Sequence, residues 1–124
     1  MSSNPIKTPF ALVVEDDPDA AETLIMLIEM EGFQGVAADT LAEARRHVAN
    51  RVPDIALLDH RLPDGSGMEL IAELAARGVT TIMLTGSGDP ELIEQAKRRG
   101  AAGYLLKPVD IEALTGFLAQ VRDA

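Results

Sequence analysis

The sequence predicts a single α/β domain in which a parallel sheet is covered by helices on both faces. Three observations support this fold class. Five short apolar runs alternate with five longer amphipathic segments along the 124 residues, the order expected of successive strand–helix units. The runs are continuously apolar and do not alternate with polar residues, so both faces of the strands should be buried. The length suits one domain with one core.

The apolar runs and the residues that start and stop helices place the individual elements. Strands are predicted at residues 10–14, 33–38, 54–59, 80–85 and 102–107, the second being the weakest. Helices are predicted at residues 18–31, 40–50, 67–77, 90–99 and 111–121. Thr40 with Glu43 forms a capping-box pattern, Asp89 precedes a proline at the first helical position, and Asp110 is a further N-cap. Three helices stop at glycines, which are Gly32, Gly78 and Gly100.

Composition narrows the classes of function. The chain has no cysteine, which excludes disulfides and thiolate metal sites, so any metal should be a hard cation with oxygen or histidine ligands. A formal charge of −9 argues against direct binding to nucleic acid. No segment has the roughly 20 apolar residues of a membrane span. Residues 1–9 lack a signal peptide's apolar run and are predicted to be a flexible arm before a cytoplasmic domain at 10–124.

Charged and polar side chains stand where several predicted strands end. The first strand is followed by Glu15, Asp16 and Asp17, the third ends at Asp59, the fourth at Thr85 and the fifth at Lys107. Because the carboxyl ends of parallel strands lie along one edge of a sheet, these groups should meet there. Clustered carboxylates repel one another unless a cation joins them. Mg²⁺ is the natural candidate, since it binds one or two carboxylates and keeps waters that a phosphoryl oxygen can displace.

The same edge has the groups that phosphoryl transfer needs. A phosphoryl group in transfer carries negative charge on three oxygens, so catalysis is mainly positioning and neutralisation of charge. Mg²⁺, the Lys107 ammonium and the Thr85 hydroxyl could each take one of these oxygens. The nucleophile is then a carboxylate, and carboxylates do form acyl phosphates. Asp59 fits that role because a buried strand should hold its backbone while its carboxylate stands at the edge.

Four motifs carry a resemblance to a known family. They are VVEDD at 13–17, LLDHRLPDGSG at 57–67, MLTG at 83–86 and GYLLKP at 103–108. In this order and spacing they resemble the receiver domain of two-component response regulators, of the CheY-like superfamily, over almost the whole chain. The resemblance implies a flavodoxin-like fold, a doubly wound five-stranded parallel sheet of order 2-1-3-4-5 with five helices. The active site would lie at the switch point between the first and third strands.

The resemblance implies the residues of a phosphoacceptor and metal site. Asp59 corresponds to the phosphoacceptor, which takes a phosphoryl group from the phosphohistidine of a sensor histidine kinase or phosphotransfer protein. Asp16 and Asp59 correspond to direct Mg²⁺ ligands. Glu15 would act on the metal through water, and the Arg61 main-chain carbonyl would complete the protein ligands. Such a domain is a signalling protein and not a general enzyme, because it catalyses only its own phosphorylation and dephosphorylation.

The resemblance also implies how the phosphoryl group would be held and read out. Thr85 and Lys107 correspond to the residues that contact it, and Tyr104 to the aromatic residue that turns inward when Thr85 moves. The Lys107–Pro108 peptide bond is expected to be cis. Phosphorylation would then switch the surface of the fourth helix, fifth strand and fifth helix for a downstream output domain or protein.

Three positions differ from what is usual in that family. Glu15 stands where aspartate is frequent, and its longer arm should still reach a metal-bound water. Gly86 follows Thr85 where alanine or serine is usual, which leaves the site more open to water. His60 and Arg61 follow the phosphoacceptor, and position 61 can shape the approach of the attacking water. These features bear on the lifetime of the phosphoryl group and not on its chemistry.

Three other functions compete with that of a receiver domain. A Mg²⁺-dependent phosphatase of the haloacid-dehalogenase type needs a second acid two residues after the nucleophile, where this chain has Arg61. A flavodoxin-like FMN protein needs a hydroxyl-rich loop after the first strand, where this chain has EDDPDA. A pseudo-receiver, a protein-binding module without phosphorylation, is the remaining alternative. The acids with Thr85 and Lys107 argue against it.

Overall fold

The computed structural model describes residues 8–124 and confirms the predicted fold class. The strands are β1 (Phe10–Val14), β2 (Gln34–Ala38), β3 (Ile55–Asp59), β4 (Thr80–Thr85) and β5 (Gly103–Leu106). The helices are α1 (Pro18–Met30), α2 (Leu41–Asn50), α3 (Met68–Ala75), α4 (Pro90–Arg98) and α5 (Ile111–Arg122). All neighbouring strands pair in parallel, in the predicted order β2-β1-β3-β4-β5. The predicted arm at residues 1–9 lies mostly outside the described residues.

The core lies on both faces of the sheet. Every residue of β1 and β3 is buried, as continuous apolar runs predict, whereas the edge strands β2 and β5 are only partly covered. One apolar cluster joins the sheet to α2, α3 and α4, and the other joins it to α1 and α5. No helix within residues 8–124 combines the length and the apolar character that crossing a membrane requires.

The predicted helix starts are confirmed by their hydrogen bonds. Thr40 accepts from the Glu43 N–H at 3.0 Å at the start of α2. Asp89 and Asp110 each accept from the N–H two residues on, at 3.0 Å, at the starts of α4 and α5. A side chain at the N-cap satisfies one of the backbone donors that the first turn leaves without a partner.

Two predicted boundaries differ from the observed ones by one or two residues for a visible reason. The second strand begins at Gln34, because Phe33 is turned into the core beside α1 and α5 and its N–H donates to the Ile28 carbonyl. Helix α3 ends at Ala75, two residues early, because the chain turns at Gly78, whose φ is +81°. That left-handed conformation closes the helix, since the Val79 N–H then reaches back to the Leu74 carbonyl.

Candidate functional site

Parallel pairing brings the ends of β1 and β3 side by side. The two strands are neighbours in the sheet, with Val14 opposite Leu58, so Glu15 and Asp59 both stand at the carboxyl edge. The Glu15 N–H donates to the Ala38 carbonyl at 2.9 Å and continues the ladder with β2. Burial of the two strands therefore fixes the backbone under both acids, at the place where open parallel sheets bind ligands.

Three carboxylates converge at this edge. Oxygen atoms of Glu15, Asp16 and Asp59 lie within 4.8 Å of one another. Glu15 is 3% exposed and Asp59 6%, whereas Asp16 is open to solvent. Buried like charges at this separation raise the free energy unless a cation neutralises them. The donor set consists only of oxygen atoms and is open to solvent at Asp16, which fits a hard divalent ion such as Mg²⁺.

Lys107 supplies a positive charge to two of these acids. Its ammonium lies 2.8 Å from Glu15 Oε2 and 2.9 Å from Asp59 Oδ2, so one group bonds both buried acids. The Lys107–Pro108 bond that follows β5 is cis, as predicted. Burial acts to lower the pKa of Lys107, but the hydrogen bonds to the two carboxylates outweigh it and raise that pKa above its usual value. The ammonium therefore stays charged.

The environment of Glu15 disfavours its charged form. Burial raises the pKa of Glu15 above its usual value, and neighbouring Asp59 raises it further. The hydrogen bonds from Lys107 and from the Asp17 N–H oppose the shift without cancelling it. Glu15 is thus a carboxylate that the fold holds at a cost, as is frequent at functional sites.

The loop after β3 is packed closely against the phosphoacceptor candidate. The Gly67 N–H donates to the Asp59 carbonyl at 2.9 Å, and a Cβ at position 67 would collide with that oxygen. Only glycine allows this approach, which explains the last residue of LLDHRLPDGSG. The Arg61 N–H lies 3.4 Å from Asp59 Oδ1. Arg61 thus borders the site through its backbone as well as its exposed side chain.

Asp64, in the same loop, has a structural role that the sequence analysis does not predict. Its carboxylate accepts from the Leu41 N–H at 2.8 Å and the Ala42 N–H at 3.1 Å. These backbone hydrogen bonds, that of Leu41 first, hold the pKa of Asp64 below its usual range. The loop that carries the site is therefore tied to the start of α2. The sequence gives no sign of this bond, because the partners are more than 20 positions apart.

Thr85 ends β4 next to the acids, and it is almost fully buried. Its hydroxyl donates to the Ser87 carbonyl at 3.2 Å and accepts from the Ser87 N–H at 3.1 Å. The hydroxyl is thus engaged within its own loop and makes no hydrogen bond to Asp59 within the described chain.

Most of the predicted site residues line one cleft. The lining includes Glu15, Asp16, Asp17, Asp59, His60, Arg61, Thr85, Gly86, Ser87, Asp89, Leu92 and Lys107. Tyr104 is not part of that lining within residues 8–124, and its side chain is 38% exposed on β5. Ser87 was missed by sequence reasoning, and Asp89 was predicted only as the N-cap of the fourth helix and not as part of the cleft. The roles of all these residues stay predictions.

The comparisons with known proteins agree on one family. The family model described as the response regulator receiver domain matches residues 11–119. The response regulator protein PilR of Pseudomonas aeruginosa is 36% identical over 111 residues, which are 88% of this chain and 25% of that protein. The photosynthetic apparatus regulatory protein RegA of Rhodobacter capsulatus is 36% identical over 86% of this chain and 59% of its own length. The chain thus spans a quarter to somewhat over half of these relatives.

Solved structures give the same result for the fold. A receiver domain protein from Methanospirillum hungatei superposes with a TM-score of 0.86 at 28% identity, covering 94% of this chain and 95% of that one. A receiver domain from Methylobacillus flagellatus superposes with a TM-score of 0.83 at 32% identity, covering 93% and 99%. With the five-stranded order and the acidic strand ends, these matches show that the chain belongs to the response regulator receiver domains of two-component signalling.

Proposed function

We propose that this chain is a phosphoacceptor domain that takes a phosphoryl group onto Asp59 from the phosphohistidine of a sensor histidine kinase or phosphotransfer protein. The observation that carries the proposal is the Lys107 ammonium, which bonds Asp59 and Glu15 at 2.9 and 2.8 Å. Asp16 stands within 4.8 Å of both acids. A nucleophilic carboxylate, a cation and an acidic metal-binding set are thus in one cleft.

The transfer is a displacement at phosphorus. A carboxylate oxygen of Asp59 forms the new O–P bond while the donor's N–P bond breaks, and the imidazole nitrogen leaves with the electron pair. Lys107 is within reach of the Asp59 carboxylate and neutralises charge on the phosphoryl oxygens. The Thr85 hydroxyl would take another oxygen after it leaves Ser87. Water attacking phosphorus later would return the free Asp59 carboxylate and release inorganic phosphate.

A Mg²⁺ ion fits the oxygen donors of the cleft. Asp16, Asp59 and the Arg61 main-chain carbonyl would hold it, with Glu15 in support. When bound, the ion would supply positive charge to the phosphoryl oxygens and relieve the repulsion among the acids. The residues of the chain would still do the positioning, because the backbones of Glu15 and Asp59 are fixed by hydrogen bonding and burial of β1 and β3.

The proposed output is a change at the surface formed by α4, β5 and α5. Tyr104 and Leu106 on the edge strand β5 are 38% and 46% exposed, so a reorientation of Tyr104 would alter an accessible apolar surface. The partner that binds this surface would be an output domain or a separate protein, as the longer response regulators among the relatives suggest. The charge of −9 supports an output that does not use this domain to bind nucleic acid.

The proposed domain comprises residues 10–124. Its proposed location is the cytoplasm, where kinases of this class phosphorylate their partners. The alternative, a pseudo-receiver without phosphorylation, would not need to keep Glu15 and Asp59 buried against each other. Such a cost is more easily understood where the acids do chemistry. The acid cluster with Lys107 therefore favours the phosphorylated receiver.

Intact-mass measurement after incubation with Mg²⁺ and a small acyl phosphate tests the proposal. The parent chain should gain the mass of one phosphoryl group, and Asp59→Asn should gain none. Asp54→Asn is the matched control, because Asp54 lies just before β3 as Asp59 lies at its end. It should be phosphorylated like the parent. A parent that gains no mass, or an Asp59→Asn variant that gains it equally, would contradict the assignment.

A further inference from the structure

The loop between β3 and α3 closes into a tight turn. The Leu62 N–H donates to the Gly65 carbonyl at 2.9 Å, and the Gly65 N–H donates back to the Leu62 carbonyl at 3.3 Å. Pro63 and Asp64 are the two residues between these bonds, and both are exposed to solvent. The side chain of Leu62 is half-buried against the apolar cluster of α2, α3 and α4. The turn therefore rests on the core by one side chain only.

The tip of this turn is bonded to a helix that is distant in the sequence. Asp64 Oδ1 accepts from the Leu41 N–H at 2.8 Å, and Asp64 Oδ2 accepts from the Ala42 N–H at 3.1 Å. The helix's own N-cap, Thr40, accepts from the next N–H, that of Glu43. The first three N–H groups of α2 are thus satisfied by side chains, two of them by a carboxylate whose bonds are charge-assisted. The pair of bonds made by Asp64 is here called the α2 tie.

The main chain at Arg61 lies between two attached points. On one side, Asp59 ends the buried strand β3, and its carbonyl accepts from the Gly67 N–H at 2.9 Å. On the other side, Leu62 belongs to the turn that the α2 tie holds. The Arg61 N–H is 3.4 Å from Asp59 Oδ1, so this stretch of backbone lies next to the acids of the cleft. A turn released from α2 would leave the Arg61 carbonyl attached at one side only.

We propose that Asp64 is a positioning residue for the metal site: through the α2 tie it holds the turn that carries the Arg61 main-chain carbonyl. The proposal rests on the function proposed above and deepens it by naming a residue outside the cleft that sets its affinity for Mg²⁺. Within residues 8–124, Asp64 is not part of the lining of the cleft. It acts through the backbone of the turn and contacts neither the ion nor the phosphorus.

Coupling of this kind is reciprocal. If the α2 tie raises the affinity for Mg²⁺ by some factor, bound Mg²⁺ must strengthen the tie by the same factor. The Leu41 and Ala42 amides, which donate to Asp64, report the state of the tie directly. Metal binding at the edge of β1 and β3 should therefore be detectable at the start of α2.

The chain offers matched variants that separate the tie from charge and from helix capping. Asp64→Ala removes both acceptor oxygens, whereas Asp64→Asn removes one negative charge and keeps one acceptor. Asp39 is exposed and lines a groove that also includes Glu15 and Asp16. Asp39→Asn therefore removes a charge close to the acids and leaves the tie intact. Thr40→Ala removes the helix's own cap, which typically costs about 1 kcal/mol, and also leaves the tie intact.

The first experiment is calorimetric titration of the full chain with Mg²⁺. Asp64→Ala should raise the Kd roughly 10-fold, the lower end of the effect of groups that orient metal ligands. Asp64→Asn should raise it less, and it provides the test if urea unfolding shows that Asp64→Ala is not folded. Asp39→Asn and Thr40→Ala should bind like the parent.

The variants also decide between explanations. Parent-like affinity in both Asp64 variants would overturn the role of Asp64 alone. An equal loss in Asp39→Asn and Asp64→Asn would reduce the effect to charge, and an equal loss in Thr40→Ala and Asp64→Ala would reduce it to helix stability; either result overturns the proposal. Failure of the parent to bind Mg²⁺ would instead overturn the metal site of the proposed function.

The second experiment is amide exchange by NMR, without phosphorylation. In the parent, saturating Mg²⁺ should slow exchange at Leu41 and Ala42. In Asp64→Ala, exchange at these two amides should be faster than in the parent and should no longer respond to Mg²⁺. The Glu112 amide, which donates to Asp110 at the start of α5, is the reference and should not change. Exchange at Leu41 and Ala42 that ignores Mg²⁺ in the parent would overturn the coupling, because reciprocity requires a response.

Discussion

The two ends of the sheet use acidic residues in opposite ways. Where the strands begin, Asp54 is exposed and accepts a hydrogen bond from the Phe10 N–H at 2.8 Å. Where the strands end, Glu15 and Asp59 are nearly fully buried and share the ammonium of Lys107. The first arrangement keeps the acid in water and caps a strand. The second removes two like charges from water and leaves them one cation between them.

Asp54 therefore stabilises the fold, whereas the burial of Glu15 and Asp59 costs free energy that other interactions must offset. An exposed carboxylate bonded to a backbone N–H keeps its hydration and adds a modest gain. A buried carboxylate loses its hydration and must be compensated by partners. Sites that break the usual rule of burial are those where chemistry is expected. Four experiments, ordered from the largest effect to the smallest, test whether the two ends really differ in this way.

Metal affinity should depend on one end of the sheet only. Loss of a direct ligand in Asp16→Ala or Asp59→Ala should weaken Mg²⁺ binding more than roughly 100-fold, and Glu15→Ala roughly 10–100-fold, because an outer ligand contributes less. Asp54→Ala should bind like the parent. Calorimetric titration with Mg²⁺ measures all four. Equal affinity for Asp16→Ala and the parent would show that the metal assignment is wrong.

Removal of Lys107 should be the most destabilising change of charge. Lys107→Ala leaves Glu15 and Asp59 buried without a cation, and loss of one partner of a buried pair costs about 3–5 kcal/mol. Because the Lys107 side chain is 34% exposed, water screens part of this interaction, and we expect the free energy of unfolding to fall by about 1–3 kcal/mol. Urea unfolding without Mg²⁺ measures the change. Lys97→Ala, an exposed lysine on α4, is the control, and an equal loss in both variants would remove the contrast.

Glu15 should destabilise the metal-free fold at neutral pH. Because burial raises its pKa, the folded state prefers the protonated carboxyl more than the unfolded chain does. The stabilising contribution of this group is therefore fully present below its ordinary, unfolded-state pKa of about 4.5. It is lost as the pH rises through the pKa of the folded state. Glu15→Gln should raise Tm at pH 7 without Mg²⁺, and the gain should fade near pH 4. Thermal unfolding at both pH values checks this, and a lower Tm at pH 7 would contradict it.

The smallest expected effect compares the two ends of β4. Thr81, near the start of the strand, has a fully buried hydroxyl without a hydrogen-bond partner among the described residues, whereas the Thr85 hydroxyl at the end is bonded to Ser87. Thr81→Val should stabilise the fold by about 1 kcal/mol, because an unpaired buried hydroxyl costs about 1–3 kcal/mol. Thr85→Val should not stabilise it. Urea midpoints of both variants measure the difference, and equal gains would show that the Thr85 bonds contribute nothing.

The sequence by itself determined the fold class and the place of the site. Continuous apolar runs in β1 and β3 indicate burial on both faces, and their alternation with amphipathic helices indicates a parallel sheet between two helix layers. Once the strands are parallel, Glu15, Asp59, Thr85 and Lys107 must stand at one edge, because each follows or ends a strand. Local patterns such as Thr40 with Glu43 also placed helix starts correctly, since capping acts within one turn.

Tertiary structure decided everything that joins residues distant in the chain or that depends on a side-chain rotation. The bonds from Lys107 to Glu15 and Asp59 span 92 and 48 positions, and their balance against burial sets the pKa of Glu15. The orientation of the Thr85 hydroxyl toward Ser87 is a choice among rotamers that no pattern of residue types encodes. Phe33, predicted to begin the second strand, is instead buried in the apolar cluster with α1 and α5. Local preferences allow several element ends and side-chain orientations, and packing across the whole core determines which of them occurs.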